Sequence, residues 1–177
     1  MFDYDSPLGR SIRESIALAC RYMIDRELKP SHLSMRVPGT EFFFVRARGG
    51  GTTSADVVLV DMEGSHVAGT GDPPIELPLH TEILRRRRDV CAVLHTHQPH
   101  AVRFGDRAVD DSSNAVSIYP LSDQITTTER GSEVARLLGS DSAVYLRRHG
   151  MAFAGKNIEE VVNLALALEE HAKRSAR

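Results

Sequence analysis

Eight histidines stand in this sequence, three of them between positions 95 and 100. His95-Thr96-His97 closes an apolar segment, Val90–His95, with strand character. Alternate residues of a strand point to one face, so the two imidazoles project side by side. Neutral imidazole nitrogen suits zinc and its neighbours in the transition series. A bare His-x-His is a weak motif, and His149 strengthens it. His149 follows the apolar run Ala143–Leu146 and precedes Gly150, so it also sits at a strand end. Ligands on separate strands converge when the strands are neighbours; otherwise His149 is a turn residue that satisfies itself by hydrogen bonding. Three histidines with an open position are the pattern of a catalytic metal site, whereas closed sites are structural. Glu76, in Pro73-Pro74-Ile75-Glu76 at the entrance of a helix, is the fourth piece. A carboxylate there either faces the positive helix end or, beside a metal, ligates it or moves protons.

The elements that must hold these residues can be read from periodicity and turn chemistry. Ser6-Pro7 starts a helix, and Ile12, Ile16, Ala19 and Met23 carry it at helical spacing to about Glu27. Lys29-Pro30 ends it. Glu41–Ala47 reads as a strand, and Val57–Asp61 with His66–Ala68 as a hairpin around Glu63-Gly64. A helix is expected over Glu76–Arg88, with Pro78 tolerated in its first turn. Pro99–Phe104 reads as a helical turn or two, and Asp106–Asn114 as polar loop. Val116–Tyr119 and Ala143–Leu146 are strands, and Glu129–Leu138 is a helix. Asn157 and Glu160 make a capping box for a last helix with Ile158, Val162, Ala165 and Leu168 along its apolar stripe. Hairpins mixed with strand–helix alternation predict an α/β sandwich around a mixed or largely antiparallel sheet.

Taken together, Glu76 to His80-Thr-Glu-Ile-Leu, Arg88 to His97, and Leu146-Arg147-Arg148-His149-Gly150 followed by Gly155 and Asn157 resemble the class II aldolase/adducin family. The resemblance extends to the first helix and to Ser31-His32-Leu33-Ser34-Met35-Arg36, and so covers most of the chain. It implies an α/β/α sandwich with a central, mainly antiparallel sheet. It implies a divalent metal, zinc first with manganese or cobalt as alternatives, on residues matching His95, His97 and His149. Glu76 matches the family's catalytic acid/base. A homotetramer with active sites at subunit interfaces is also implied.

A metal on neutral imidazoles keeps its charge and stabilises an enolate as a Lewis acid. That carbanion serves retro-aldol cleavage, decarboxylation and epimerisation alike, so the motif defines an intermediate and not a reaction. Sugar-phosphate members of the family cradle phosphate with a Gly-Asn pair, a Thr-Gly turn and a Ser-Ser pair. Here those places read Ser31-His32, Arg46-Ala47-Arg48-Gly49 and Pro73-Pro74-Ile75. The small donors that a buried phosphate needs are mostly gone. His32 and Arg36 are candidates for orienting a carboxylate, Arg because it binds one bidentately. His100 is a candidate pocket residue. His80, one turn beyond Glu76, reads as a packed, hydrogen-bonded core histidine. The pattern resembles members that decarboxylate hydroxylated aromatic or other non-phosphorylated acids. An aldolase or epimerase on a sugar or sugar phosphate is the alternative, and an adducin-like, non-enzymatic assembly module a further one.

Composition bounds the rest. At 177 residues the chain fits one domain, 1–177, able to bury a core without staples. Net charge is −2, whereas nucleic-acid and membrane-surface proteins carry a positive excess, so neither partner is expected. No apolar run approaches the ~20 residues of a membrane span. The acidic start Met1-Phe2-Asp3-Tyr4-Asp5 is unlike a signal peptide. Cys20 and Cys91 read as small hydrophobes in a reducing compartment. The expectation is a cytoplasmic enzyme acting on a small molecule.

Overall fold

The computed structural model describes residues 2–28, 30–108 and 116–175. In chain order it contains α1 (Pro7–Ile24), β1 (Pro30–Arg36), β2 (Phe42–Arg46), a single 3-10 turn (Ser54–Asp56), β3 (Val57–Asp61), β4 (His66–Ala68), α2 (Leu77–Arg86), β5 (Ala92–Thr96) and α3 (Pro99–Ala108). It continues with β6 (Ser117–Tyr119), α4 (Thr128–Leu138), β7 (Ala143–Leu146), β8 (Gly150–Gly155) and α5 (Ile158–Ser175). The eight strands form one sheet in the order β4-β3-β2-β1-β5-β8-β7-β6. Every pairing is antiparallel except β6 with β7.

Alternation along the strands sends side chains into two cores. On one face Leu33, Phe44, Leu59, Leu94 and Phe153 meet Ile16 and Met23 of α1 and Val161 and Ala165 of α5. On the other, Phe43, Val60, Val93 and Val144 meet Leu79 and Ile83 of α2 and Val134 and Leu138 of α4. The adjacent Phe43 and Phe44 thus feed opposite cores, and both are fully buried. This is the expected α/β/α sandwich.

Two strands were not legible in the sequence. β1 carries its polar residues, His32, Ser34 and Arg36, on an inward face, so its alternation does not read as apolar-in, polar-out. β8, Gly-Met-Ala-Phe-Ala-Gly, is buried along its whole length and, apart from Phe153, is built of small or flexible residues, without β-branched side chains. Its position matters: β8 lies between β5 and β7, so the strands that carry His95 and precede His149 are not themselves neighbours.

Helix ends follow their local chemistry. Ser6 Oγ accepts from Gly9 N–H at 3.1 Å, and Pro7 opens α1. Asn157 Oδ1 accepts from Glu160 N–H at 2.8 Å, but Glu160 returns to the N–H of Lys156, one residue before the expected partner. The helix after β5 is longer than two turns and runs to Ala108, taking in residues expected as loop. The remainder of that expected loop, 109–114, lies outside the described residues, as does Lys29. Both cysteines are free; Cys20 is buried and Cys91 half-buried.

The packing of α4 on α2 needs a glycine. A Cβ on Gly131 would stand 2.4 Å from the carbonyl oxygen of Pro78. That contact falls in the first turn of α2, immediately after Glu76.

Candidate metal centre

His95 is the penultimate residue of β5 and is wholly buried. Its Nδ1 lies 2.9 Å from the carbonyl oxygen of Met151 on the adjoining β8. A carbonyl can only accept, so Nδ1 carries the proton and Nε2 keeps a lone pair. Support of this kind is what orients a metal-ligating histidine. His97 lies one residue beyond β5, on the exposed side of the cluster, and its Nε2 is 3.1 Å from His95 Nε2. The hydroxyl of Ser31 sits 3.2 Å from His97 Nδ1.

His149 comes from the turn between β7 and β8. Arg148 takes a positive φ of 55°, and His149 N–H bonds Leu146 O at 3.0 Å, which folds the side chain back over the sheet end. Its ring centroid is 4.9 Å from that of His95 and 5.2 Å from that of His97. The third imidazole therefore arrives because the strand after the turn, β8, pairs with β5. Gly150 makes the approach possible: a Cβ there would be 2.4 Å from Thr96 O and 2.9 Å from both the His95 and the His97 rings.

Glu76 precedes α2 but does not cap it with its side chain. Its carboxylate, 2 % exposed, turns away from its own helix. Oε2 lies 3.4 Å from His95 Nε2, and Oε1 lies 3.4 Å from His149 Nε2. Oε1 also accepts from the backbone N–H of Ile125 at 3.0 Å. Burial alone would raise the carboxyl's pKa, but the adjacent His149 and His95 imidazoles and the Ile125 N–H outweigh it and hold the group well below the carboxylate range.

The ligand atoms of Glu76, His95, His97 and His149 all lie within 4.8 Å of one another. Tetrahedral zinc with bonds of 2.0–2.1 Å puts its ligand atoms about 3.3 Å apart. Three contacts in the cluster, at 3.1, 3.4 and 3.4 Å, match that spacing. Both nitrogens of His149 are buried without a hydrogen-bond partner. Imidazole nitrogens and carboxylate oxygens that converge at this spacing fit a cation, and the donor set of imidazole and carboxylate fits a zinc-like one.

The other expected site residues divide. His32, on β1, is in register with His95, and the two rings stack at 5.7 Å and 30°. Burial, reinforced by His95, lowers its pKa to about 3, so its ring is neutral. Arg36 is not at the site. It lies at the far end of β1, four residues from His32, and its guanidinium binds the backbone carbonyls of Val90 and Leu84. That ties the end of α2 to the sheet, which corrects the expectation that Arg36 faces substrate. His100 is likewise engaged elsewhere, with Nδ1 2.7 Å from Glu169 on α5. Glu169 also accepts from the N–H groups of His100 and Ala101, so the pair caps α3 on the opposite face of the sheet from Glu76.

Three contributors escaped sequence reasoning: the Met151 carbonyl, the Ile125 N–H and the Ser31 hydroxyl. Two are backbone groups, which carry no residue-type signal. His80 is fully buried with Nδ1 2.7 Å from Ser34 Oγ, as a core histidine should be, but its Nε2 has no partner.

Comparison with known proteins bears on this arrangement. Residues 14–175 match the model of the Class II Aldolase and Adducin N-terminal domain. The chain is 33% identical over 193 aligned residues to a 3,4-dihydroxyphthalate decarboxylase of Arthrobacter keyseri, covering 93% of this chain and 77% of that protein. It is 32% identical to the enzyme of the same name from a Terrabacter species, covering 92% and 79%. Among solved structures, an aldolase II superfamily protein from Pseudomonas syringae superimposes with a TM-score of 0.82 at 25% identity, over 96% of this chain and 75% of that one.

Proposed function

The chain belongs to the class II aldolase/adducin family, and on that premise we propose a metal-dependent carbon–carbon lyase that decarboxylates a small, non-phosphorylated hydroxy- or keto-acid. The observation that carries this reading is the convergence of His95, His97, His149 and Glu76 within 4.8 Å. In this reading the three histidines hold a divalent ion, zinc before manganese or cobalt. When bound, that ion supplies Lewis-acid stabilisation of the negative charge left as the carbon–carbon bond breaks.

The chain's own residues do the rest. Glu76 is the acid/base. Its Oε1 is engaged by Ile125, which leaves Oε2 to take a proton from a substrate hydroxyl or from water and pass it to the carbon that the carboxyl group leaves. His32, stacked on His95, contacts the substrate's acidic oxygens. A neutral imidazole is well suited to that place. A guanidinium clamp would stabilise the charged carboxylate more than the transition state, in which that charge is leaving it, and would slow the reaction. With Arg36 withdrawn to the far end of β1, no such clamp comes from that residue.

Two observations favour decarboxylation over cleavage of a sugar phosphate. The segment before Glu76 is Pro73-Pro74-Ile75, which offers no hydroxyl to a phosphate. Among the sequence relatives, those that align over more than nine-tenths of the chain are named as decarboxylases. The protomers assemble as a homotetramer in this reading, with each site walled by a neighbour. No helix of the described residues is long and apolar enough to cross a membrane.

A product screen tests the proposal. Zinc-, manganese- and cobalt-loaded protein is offered catechol-type hydroxy acids labelled with carbon-13 in the carboxyl group, and sugar phosphates in parallel. Labelled carbon dioxide from the acids alone supports it. Release of glycolaldehyde phosphate or a triose from a sugar phosphate replaces it with the aldolase reading. Light scattering near four times the 19.5 kDa chain mass tests the assembly.

A further inference from the structure

Behind His95, imidazoles continue in a file across the sheet. His32 stacks on His95, and His80 of α2 meets His32 edge-on at 5.9 Å between centroids, their planes 69° apart. The file ends on Ser34, whose hydroxyl lies 2.7 Å from His80 Nδ1. Ser34 and His80 are both fully buried. Two nitrogens in this file, His80 Nε2 and His32 Nδ1, are buried without a hydrogen-bond partner, and they belong to adjacent rings. Unpaired buried polar atoms are rare enough in native proteins to require a reason.

Proton placement supplies one. The Ser34 hydroxyl has two acceptors in reach, His80 Nδ1 at 2.7 Å and Val93 O at 3.4 Å. The shorter contact has the length of a good hydrogen bond and the longer does not. If Ser34 donates to His80 Nδ1, the neutral His80 ring must carry its proton on Nε2. That N–H then needs an acceptor, and the unpartnered nitrogen of the adjacent ring is His32 Nδ1; the two make no direct hydrogen bond, so one bridging water must join them. With Nδ1 accepting, neutral His32 must carry its proton on Nε2. Both rings are in surroundings that disfavour charge.

We propose that Ser34, His80 and His32 form a one-way hydrogen-bond relay, Ser34 O–H to His80 Nδ1 and His80 Nε2–H through one water to His32 Nδ1. The relay sets His32 as an Nε2–H donor for an anionic oxygen of the substrate. His80 is then a positioning residue: it fixes the tautomer of the group that meets the substrate and does not touch the substrate itself. A His32 of the opposite tautomer would present a lone pair to the acid and repel it. The inference rests on the reading of His32 as the substrate contact.

Nitrogen-15 NMR of the zinc-loaded, histidine-labelled protein reads the tautomers directly. Protonated Nε2 is expected on both His80 and His32, with His80 becoming a tautomer mixture in Ser34→Ala. An Nδ1–H on either ring in the wild type overturns the relay. Calorimetry with 3,4-dihydroxybenzoate as the probe gives the second arm. His80→Met should weaken its binding about tenfold, the effect of losing one hydrogen bond to a charged group. His80→Gln should restore it, because its amide offers an acceptor and a donor in the same order, and zinc content should be equal in all three proteins. Wild-type affinity in a folded, zinc-loaded His80→Met overturns the proposal. Should that variant not fold, the spectra of the wild type and Ser34→Ala decide. His32→Ala separates this inference from the reading beneath it. Unchanged affinity there removes His32 as the substrate contact and with it the last step, while the tautomers still decide whether the relay exists.

Discussion

Glu76 and Ile125, 49 positions apart in the chain, meet through a 3.0 Å hydrogen bond from the Ile125 backbone N–H to Oε1. Ile125 is fully buried, in the segment between β6 and α4. Gly131 then brings α4 against the first turn of α2. The carboxylate is therefore held by the segment leading into α4, while its backbone is fixed at the start of α2.

Replacing Glu76 by Gln retains an acceptor for Ile125 and removes the titrating proton. Turnover should fall by roughly 10²–10⁴, while circular dichroism and zinc content stay near wild type. Wild-type rates would show that Glu76 is not the acid/base, and complete loss of zinc would make it chiefly a ligand.

Gly150→Ala places a methyl group against Thr96 O and the rings of His95 and His97. The added atom meets backbone and two packed rings, so something must shift. Overpacking of this kind costs about 1–3 kcal/mol, and zinc affinity should fall about 10–100-fold, as when the supports of a ligand are disturbed. Zinc titration and thermal melts measure the two effects. Unchanged affinity would mean that the turn can yield without moving the rings.

Arg36→Met should behave as a stability variant. It leaves the carbonyls of Val90 and Leu84 without their donor. The expected loss is about 1–3 kcal/mol in denaturant melts, with zinc content and acid binding preserved. Weakened acid binding at unchanged stability would return Arg36 to the site.

The stability of metal-free protein should fall as pH drops below about 6.5, the ordinary histidine pKa. The sign follows from the depressed groups. His32, lowered to about 3, and His97, lowered to about 4, are both desolvated. As pH falls through the unfolded-state pKa, the unfolded chain binds protons that the folded chain refuses, and folding weakens. His32 contributes a slope of up to about 1.4 kcal/mol per pH unit until it titrates in the folded state as well, and the more exposed His97 contributes less because solvent screens it. The loss therefore runs from about 6.5 down through about 4 for His97 and about 3 for His32. Urea midpoints that stay flat between pH 6.5 and 4.5 would contradict it.

Local chemistry was enough to place most elements and to single out the His95 and His97 pair. Helix starts at Ser6-Pro7 and Asn157, the hairpin turn at Glu63-Gly64 and the i, i+2 pair His95 and His97 are all short-range features. Their geometry follows from a few neighbouring residues, and resemblance of the combined motifs pointed to the same sandwich. What only the tertiary structure decided depends on pairing across the chain. His149 joins His95 because β8, a strand without β-branched residues, inserts between β5 and β7. Arg36 and His100 carry the right groups for an acid, but their nearest partners are the α2 carbonyls and Glu169. Residue type says which bonds a side chain is able to make. Which partner it meets is set by strand order and register, and those are properties of the whole sheet.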